Sequence, residues 1–311
     1  MEPSQTAFLF PGQGSQEMGM GKDLADSYPT ARDTFSEADE ILGFKISQIA
    51  WEGPESELND TVNTQPALMV HSVASLRVLS KLFPDFAPAY VAGHSMGELS
   101  ALVAAGALPF SQALNLVRMR GLLMKQAGEK THGGMAAILG LDIPTLEAIC
   151  KEASSAGEVV QVANDNCPGQ VVISGSDLAL SKAISIAQQS GAKRAVRLAV
   201  SIAAHSPFMV TAQDEFSLAV MSAPITKPNT PIIGNVTAQP LISADEIRND
   251  LKEQLTHRVR WTETVQYLIK QGVNTFIELG SGSVLVGLLK RIDRQVVGIT
   301  LGSPEEFLKL V

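Results

Sequence analysis

Ala89-Tyr90-Val91-Ala92-Gly93-His94-Ser95-Met96-Gly97-Glu98 joins a short apolar strand pattern to a Gly-x-Ser-x-Gly and then to a helical pattern. That order predicts a nucleophile elbow, in which a serine on a sharp strand-to-helix turn holds its hydroxyl clear of the backbone and small flanking residues avoid collisions across the turn. Ser95 then stands at the N-terminus of a helix expected over 96–105, where orphan amides and the helix dipole favour developing negative charge. A turn that merely links a strand to a helix carries the same five residues. The strand before it and the helix after it give the motif its weight.

Upstream, the apolar run 6–10 ends at Pro11-Gly12-Gln13-Gly14-Ser15-Gln16, a strand followed by a glycine-rich loop of the kind that brings backbone amides close to a ligand. Glu17 occupies the place of the third glycine of a dinucleotide fingerprint. Gln16 and Asp23 break the phosphate-loop pattern around Gly21-Lys22, so nucleotide binding is disfavoured. Packing helices are expected over 30–42 and 65–82, the second carrying Leu68, Met69, Val73, Leu76 and Leu79 at helical intervals.

Downstream, a helix expected over 110–127 carries Arg120 with Leu116, Val117, Leu123 and Met124 one turn away, so its guanidinium projects from the apolar stripe. A charge held there needs an anion, because removing one partner of a buried pair costs about 3–5 kcal/mol. From position alone, an acidic residue of the same chain and a substrate carboxylate satisfy that need equally. Arg118, with Asn115 and Gly121 three residues to either side, makes the weaker case.

From Gly133-Gly134 the rhythm changes to strand 135–139, helix 143–153, strands 159–163 and 170–174, helix 177–189 and strand 195–200. This is the β-α-β-β-α-β order of a ferredoxin-like unit, with Asn164 to Gly169 as a turn between adjacent strands. Helix 208–221, strand 230–236, helices 245–255 and 261–271, strand 274–279 and helix 284–291 then resume an α/β alternation that returns the chain to the first sheet. The fold class is α/β, with a small α+β domain over 131–199 inserted into a large domain made of 1–130 and 200–311.

Composition narrows the function. The chain has 311 residues, 45% hydrophobic and 18% charged, with 24 Lys and Arg against 32 Asp and Glu and a net charge of -8. No basic surface for nucleic acid or anionic lipid is implied. No apolar run approaches the ~20 residues that span a bilayer, and the first residues lack a signal-peptide pattern, so a cytoplasmic protein without membrane partners is expected. Cys150 and Cys167 have neither CxxC spacing nor a histidine cluster nearby, which leaves no case for a metal site.

A serine nucleophile needs a base. Of the five histidines, His94 adjoins Ser95, but consecutive side chains leave a strand on opposite sides, so it is expected to buttress the elbow. His71 falls in a packing helix, and His132 and His257 in polar loops. His205 follows an apolar run and precedes Ser206-Pro207, at an α/β junction of the kind that displays catalytic groups.

Taken together these residues resemble the malonyl-CoA:acyl carrier protein transacylases and the acyltransferase domains of fatty acid and polyketide synthases. The resemblance spans almost the whole chain. It rests on Gly12-Gln13-Gly14-Ser15-Gln16, Gly93-His94-Ser95-Met96-Gly97-Glu98, Val117-Arg118-Met119-Arg120-Gly121, Asn164 to Gln170 before Val171-Val172-Ile173-Ser174-Gly175, His205-Ser206-Pro207, Asn235-Val236-Thr237 and Val259-Arg260-Trp261. It implies a large α/β-hydrolase-like domain with an inserted ferredoxin-like one. It also implies Ser95 as the acylated nucleophile, His205 as general base and acid, Arg120 as the holder of the substrate carboxylate, and the amides of Gln13 and Met96 as the oxyanion hole. The main-chain carbonyl at Gln254 would orient the histidine, and Asn164 and Gln170 would line the cleft between domains. Malonyl-CoA is then the substrate, an acyl carrier protein with its phosphopantetheine thiol the partner, no bound cofactor or metal is needed, and a monomer is expected.

Two departures stand out. Ile202-Ala203-Ala204-His205 matches neither the segment usual in malonyl-selective synthase domains nor that usual in methylmalonyl-selective ones, and Gly280-Ser281-Gly282 replaces a more usual Gly-Pro-Gly. An esterase or thioesterase using the same Ser95 and His205 is the runner-up. It requires a triad acid, for which Asp142, Asp165 and Asp177 are the candidates by chain order. A carrier-docking module without catalysis would have no use for Ser95, Arg120 and His205 together.

Overall fold

The computed structural model describes residues 2–310; Met1 and Val311, the outer ends of the expected large domain, lie outside the described residues. Ten strands follow in chain order: β1 Thr6–Phe10, β2 Tyr90–Gly93, β3 Gly133–Leu139, β4 Val160–Cys167, β5 Gln170–Ser176, β6 Arg194–Arg197, β7 Ile232–Ile233, β8 Pro240–Leu241, β9 Thr275–Leu279 and β10 Val297–Leu301. Six form one sheet in the order β10-β9-β1-β2-β7-β8. It is parallel except where β8 turns back on β7.

Both faces of this sheet are covered, which is why β1 reads as a continuous apolar run. Phe8, Phe10, Val91, Ile232 and Ile277 enter the larger core, while Ala7, Leu9, Ala92, Ile233 and Phe276 pack on the other side with Trp261, Val265 and Leu285. The long helices Thr61–Leu82 and Phe110–Lys130 cover the first face with Leu68, Met69, Val73, Leu116 and Val117. Asp60 starts the former by accepting from the Val62 amide.

The other four strands form an antiparallel sheet, β4-β5-β3-β6, whose helices Ile143–Ala153 and Asp177–Gln189 share a separate hydrophobic cluster with it. One expectation fails here. The turn expected over Asn164 to Gly169 is mostly strand, since β4 continues to Cys167 through two register shifts against β5. The polar residues that suggested a turn are retained in a strand because the Asp165 amide donates to the Val259 carbonyl at 2.9 Å and the Val259 amide donates to the Ala163 carbonyl at 2.8 Å, flanking a bridge between Asn164 and Val259. The strand expected over 230–236 shrinks to Ile232–Ile233, and that over 195–200 to Arg194–Arg197. Short helices Lys22–Ser27, Ile46–Glu52 and Glu55–Leu58, and the edge strand β10, were not signalled by periodicity.

The order of the strands switches at β1, which pairs in parallel with β2 on one side and with β9 on the other. A crevice opens beyond the carboxyl ends of strands at such a point. The glycine loop after β1 and the elbow after β2 both end there. Among the described residues no helix is long and apolar enough to cross a membrane, and no group of His, Cys, Asp and Glu is arranged to hold a metal.

Candidate active site

Ser95 leaves β2 with φ 52°, and the helix Gly97–Ala104 starts immediately after it. The turn admits little bulk: a Cβ on Gly97 would stand 2.2 Å from the Phe10 carbonyl oxygen. The loop after β1 lies equally close, since a Cβ on Gly12 would stand 2.5 Å from the His94 carbonyl oxygen. Small residues therefore bring the Gln13 amide up against the elbow. The Gln13 and Met96 amides donate to no group among the described residues, and both residues line a cavity of about 910 Å³ between the two sheets.

Three side chains converge in that cavity. Ser95 Oγ lies 2.8 Å from His205 Nε2 and accepts from Arg120 Nη2 at 3.0 Å. His205 Nδ1 faces the main-chain carbonyls of Gln254 at 2.8 Å and His257 at 3.1 Å. Carbonyls only accept, so Nδ1 carries the proton and Nε2 presents its lone pair to the serine. Burial, and after it the neighbouring charge of Arg120, lower the basicity of His205 from the ordinary 6.5 to about 3. The imidazole is therefore neutral and ready to accept a proton. If Ser95 is acylated with His205 as its base, acyl loading is expected to stay near its maximum from about pH 7 down to about pH 5, because a base depressed this far is still unprotonated there. Single-turnover rates across that range check this; half-maximal loading near about pH 6.5 would contradict it.

Arg120 is 1% exposed and is met only by uncharged acceptors: Gln65 Oε1 at 2.8 Å, Gln254 Oε1 at 2.9 Å, Met124 Sδ at 3.2 Å and the serine hydroxyl. Its Nε has no partner among the described residues. Burial lowers its pKa to about 10, which leaves it charged at neutral pH. Of the two partners that its position allowed, the internal ion pair is absent among the described residues. Glu98, the nearest acid, is buried behind the elbow and accepts from Gln254 Nε2 at 2.6 Å. Burial first and Asp250 second push its carboxyl well above the usual range.

The remaining expected residues separate clearly. Asn164 and Gln170 line the cavity; Asn164 Oδ1 is buried and unpartnered among the described residues, and Gln170 Oε1 accepts from Arg291. His94 Nε2 contacts Asn166 Oδ1 at 2.9 Å and its ring packs edge-on to Trp261, a buttress as expected. Arg118 is spent on Val62, Asn63 and the Phe44 ring. None of the three candidates for the one acid a hydrolase triad requires is a partner of His205 Nδ1, which among the described residues meets only the two carbonyls. Asp142 caps a helix, Asp165 accepts from Thr262, and Asp177 pairs with Arg197.

Sequence reasoning gave no role to Gln65, Gln161, the His257 carbonyl or Asn235, the last of which entered only within the motif Asn235-Val236-Thr237. Gln65 left a signal in its spacing, since it precedes Leu68 and Met69 by three and four residues and so shares their apolar face, the same test that singled out Arg120.

The model of the family described as "Acyl transferase domain" matches residues 7–300. The chain is 45% identical over 304 residues to a malonyl CoA-acyl carrier protein transacylase of Bacillus subtilis, an alignment that covers 97% of this chain and 95% of that protein. An acyl carrier protein S-malonyltransferase from Vibrio cholerae superposes with a TM-score of 0.95 at 42% identity, over 99% of this chain and 100% of that one. A malonyl-transacylase solved in complex with a type II PKS acyl-carrier protein gives a TM-score of 0.95 at 42% identity, with 98% of each chain covered.

Proposed function

The chain belongs to the acyl transferase family, and on that premise we infer that it transfers the malonyl group of malonyl-CoA to the phosphopantetheine thiol of an acyl carrier protein. The observation that carries the inference is a serine hydroxyl held between a neutral histidine at 2.8 Å and a buried, anion-free arginine at 3.0 Å. A hydrolase needs the first neighbour; only an acid-bearing acyl group gives the second a purpose.

In this reading Ser95 Oγ attacks the thioester carbonyl as His205 Nε2 takes its proton. The oxyanion is met by the Gln13 and Met96 amides, each such donor contributing about 10²–10³-fold in rate. The C–S bond breaks, His205 returns the proton to the coenzyme A thiol, and a malonyl ester remains on Ser95. His205 then takes the proton of the carrier thiol, whose sulfur attacks the ester, and the proton passes back to Ser95 Oγ. Arg120 binds the malonyl carboxylate throughout. The Gln254 carbonyl holds His205 in the productive tautomer, and Asn164 and Gln170 face the pantetheine arm. Proton transfer, oxyanion and carboxylate are all served by these residues, so the reaction calls for no resident cofactor.

We read residues 131–199 as an inserted ferredoxin-like domain and 1–130 with 200–311 as a discontinuous α/β-hydrolase-like one. The antiparallel order β4-β5-β3-β6 and the separate hydrophobic cluster support that division.

The test mixes the purified protein with malonyl-CoA and follows intact mass, then adds holo carrier protein. A malonyl adduct that persists and moves to the carrier is the expected result. Free malonate released without an adduct or carrier product would replace this reading by a hydrolase.

A further inference from the structure

Among the described residues, three non-glycine residues have their backbone in the left-handed region, Ser95 at φ 52°, His205 at φ 56° and Ala238 at φ 52°. In that region Cβ crowds the following carbonyl, so a side-chain-bearing residue stays there only where its surroundings hold it. Two of the three are the reacting pair, and each has a carboxamide side chain attached to its backbone.

Asn235 is 3% exposed and spans the elbow. Its Oδ1 accepts from the Ser95 amide at 2.7 Å and its Nδ2 donates to the Gly93 carbonyl at 2.8 Å. One group must accept and donate at once, which an amide does and a carboxylate does not. Asn235 is itself fixed, because Asp250 accepts from the amides of Asn235 at 3.0 Å, Val236 at 3.2 Å and Thr237 at 3.2 Å. The Ser95 amide is thereby occupied, and Met96 is left as the elbow's free donor.

Gln161 comes from β4 of the small sheet. Its Nε2 donates to the His205 carbonyl at 2.8 Å and to the Thr256 carbonyl at 3.0 Å. It ties the left-handed peptide of the histidine to the segment whose Gln254 and His257 carbonyls accept from that histidine. Neither Asn235 nor Gln161 lines the cavity.

We propose that Asn235 and Gln161 are positioning residues for acyl transfer, Asn235 holding the strained backbone of Ser95 and Gln161 that of His205. The proposal rests on Ser95 and His205 acting as nucleophile and base. Because both half-reactions use the same pair, both are slowed when either clamp is lost, while binding of malonyl-CoA, which depends on Arg120 and the cavity wall, is not.

Single-turnover loading of the full chain with increasing malonyl-CoA, and discharge of the ester to holo carrier protein, test this in Asn235→Ala and Gln161→Met, with thermal unfolding followed alongside. Misplacing a reacting group by about 1 Å costs on the order of 10²-fold. The maximal loading rate is therefore expected to fall about 10²-fold in Asn235→Ala and about 10-fold in Gln161→Met, at a half-saturating malonyl-CoA concentration within about 2-fold of the unmodified protein. Discharge is expected to slow in the same proportion. Wild-type maximal rates in folded variants, or a raised half-saturation with the maximal rate intact, would overturn the proposal. A loss in one variant alone removes the other residue from it. Should Asn235→Ala fail to fold, Gln161→Met decides by itself. Failure of the unmodified protein to load malonate strikes the functional reading instead.

Discussion

Ser95→Ala is expected to abolish the malonyl adduct and to lower carrier malonylation by at least about 10³-fold. The variant keeps His205 and the Gln13 and Met96 amides, so a slow direct attack of the carrier thiol on malonyl-CoA can persist, assisted by the remaining groups. Affinity for malonyl-CoA should hold or strengthen. The hydroxyl is one of the acceptors that Arg120 now has, at 3.0 Å, and without it the guanidinium depends more on the incoming carboxylate. Intact mass and equilibrium binding read the two effects separately. A full adduct on the alanine variant would put the nucleophile elsewhere.

Arg120→Ala is expected to lower kcat/KM for malonyl-CoA on the order of 2 × 10²- to 5 × 10³-fold, the equivalent of the roughly 3–5 kcal/mol lost when one partner of a buried pair is removed. Acetyl-CoA should change in the opposite direction. An acetyl group leaves the buried charge of Arg120 unpaired in the native protein, and the alanine variant has no such charge to leave. Ser95 and His205 should remain in register, because the Gln254 contact to Arg120 uses its side-chain Oε1 whereas His205 is held by its main-chain oxygen. The measurement is the ratio of malonyl to acetyl loading by mass. Malonyl loading that survives while acetyl loading does not improve would remove the carboxylate clamp from the mechanism.

His205 shows how a residue can be singled out without its environment being known. Its loop position and the Ser206-Pro207 break separate it from the other histidines in the sequence. Its basicity, tautomer and left-handed backbone depend on Arg120, Gln254, His257 and Gln161, which come from other parts of the chain. β4 shows the converse. Asn164 to Gly169 has the composition of a turn, and the composition misleads because a distant segment at Val259 supplies the hydrogen bonds that keep most of it extended.

The sequence by itself determined what local spacing encodes: the elbow at Ser95, the apolar stripe that makes Arg120 anomalous, and the α/β rhythm with a distinct middle section. These are properties of residues within one or two turns of each other, where backbone geometry dictates which side chains share a face. The tertiary structure alone shows that Arg120 has no acidic partner among the described residues. Its amide partners Gln65 and Gln254 lie 55 and 134 residues away. Whether a buried charge is already paired depends on such distant neighbours, and no periodicity reports them.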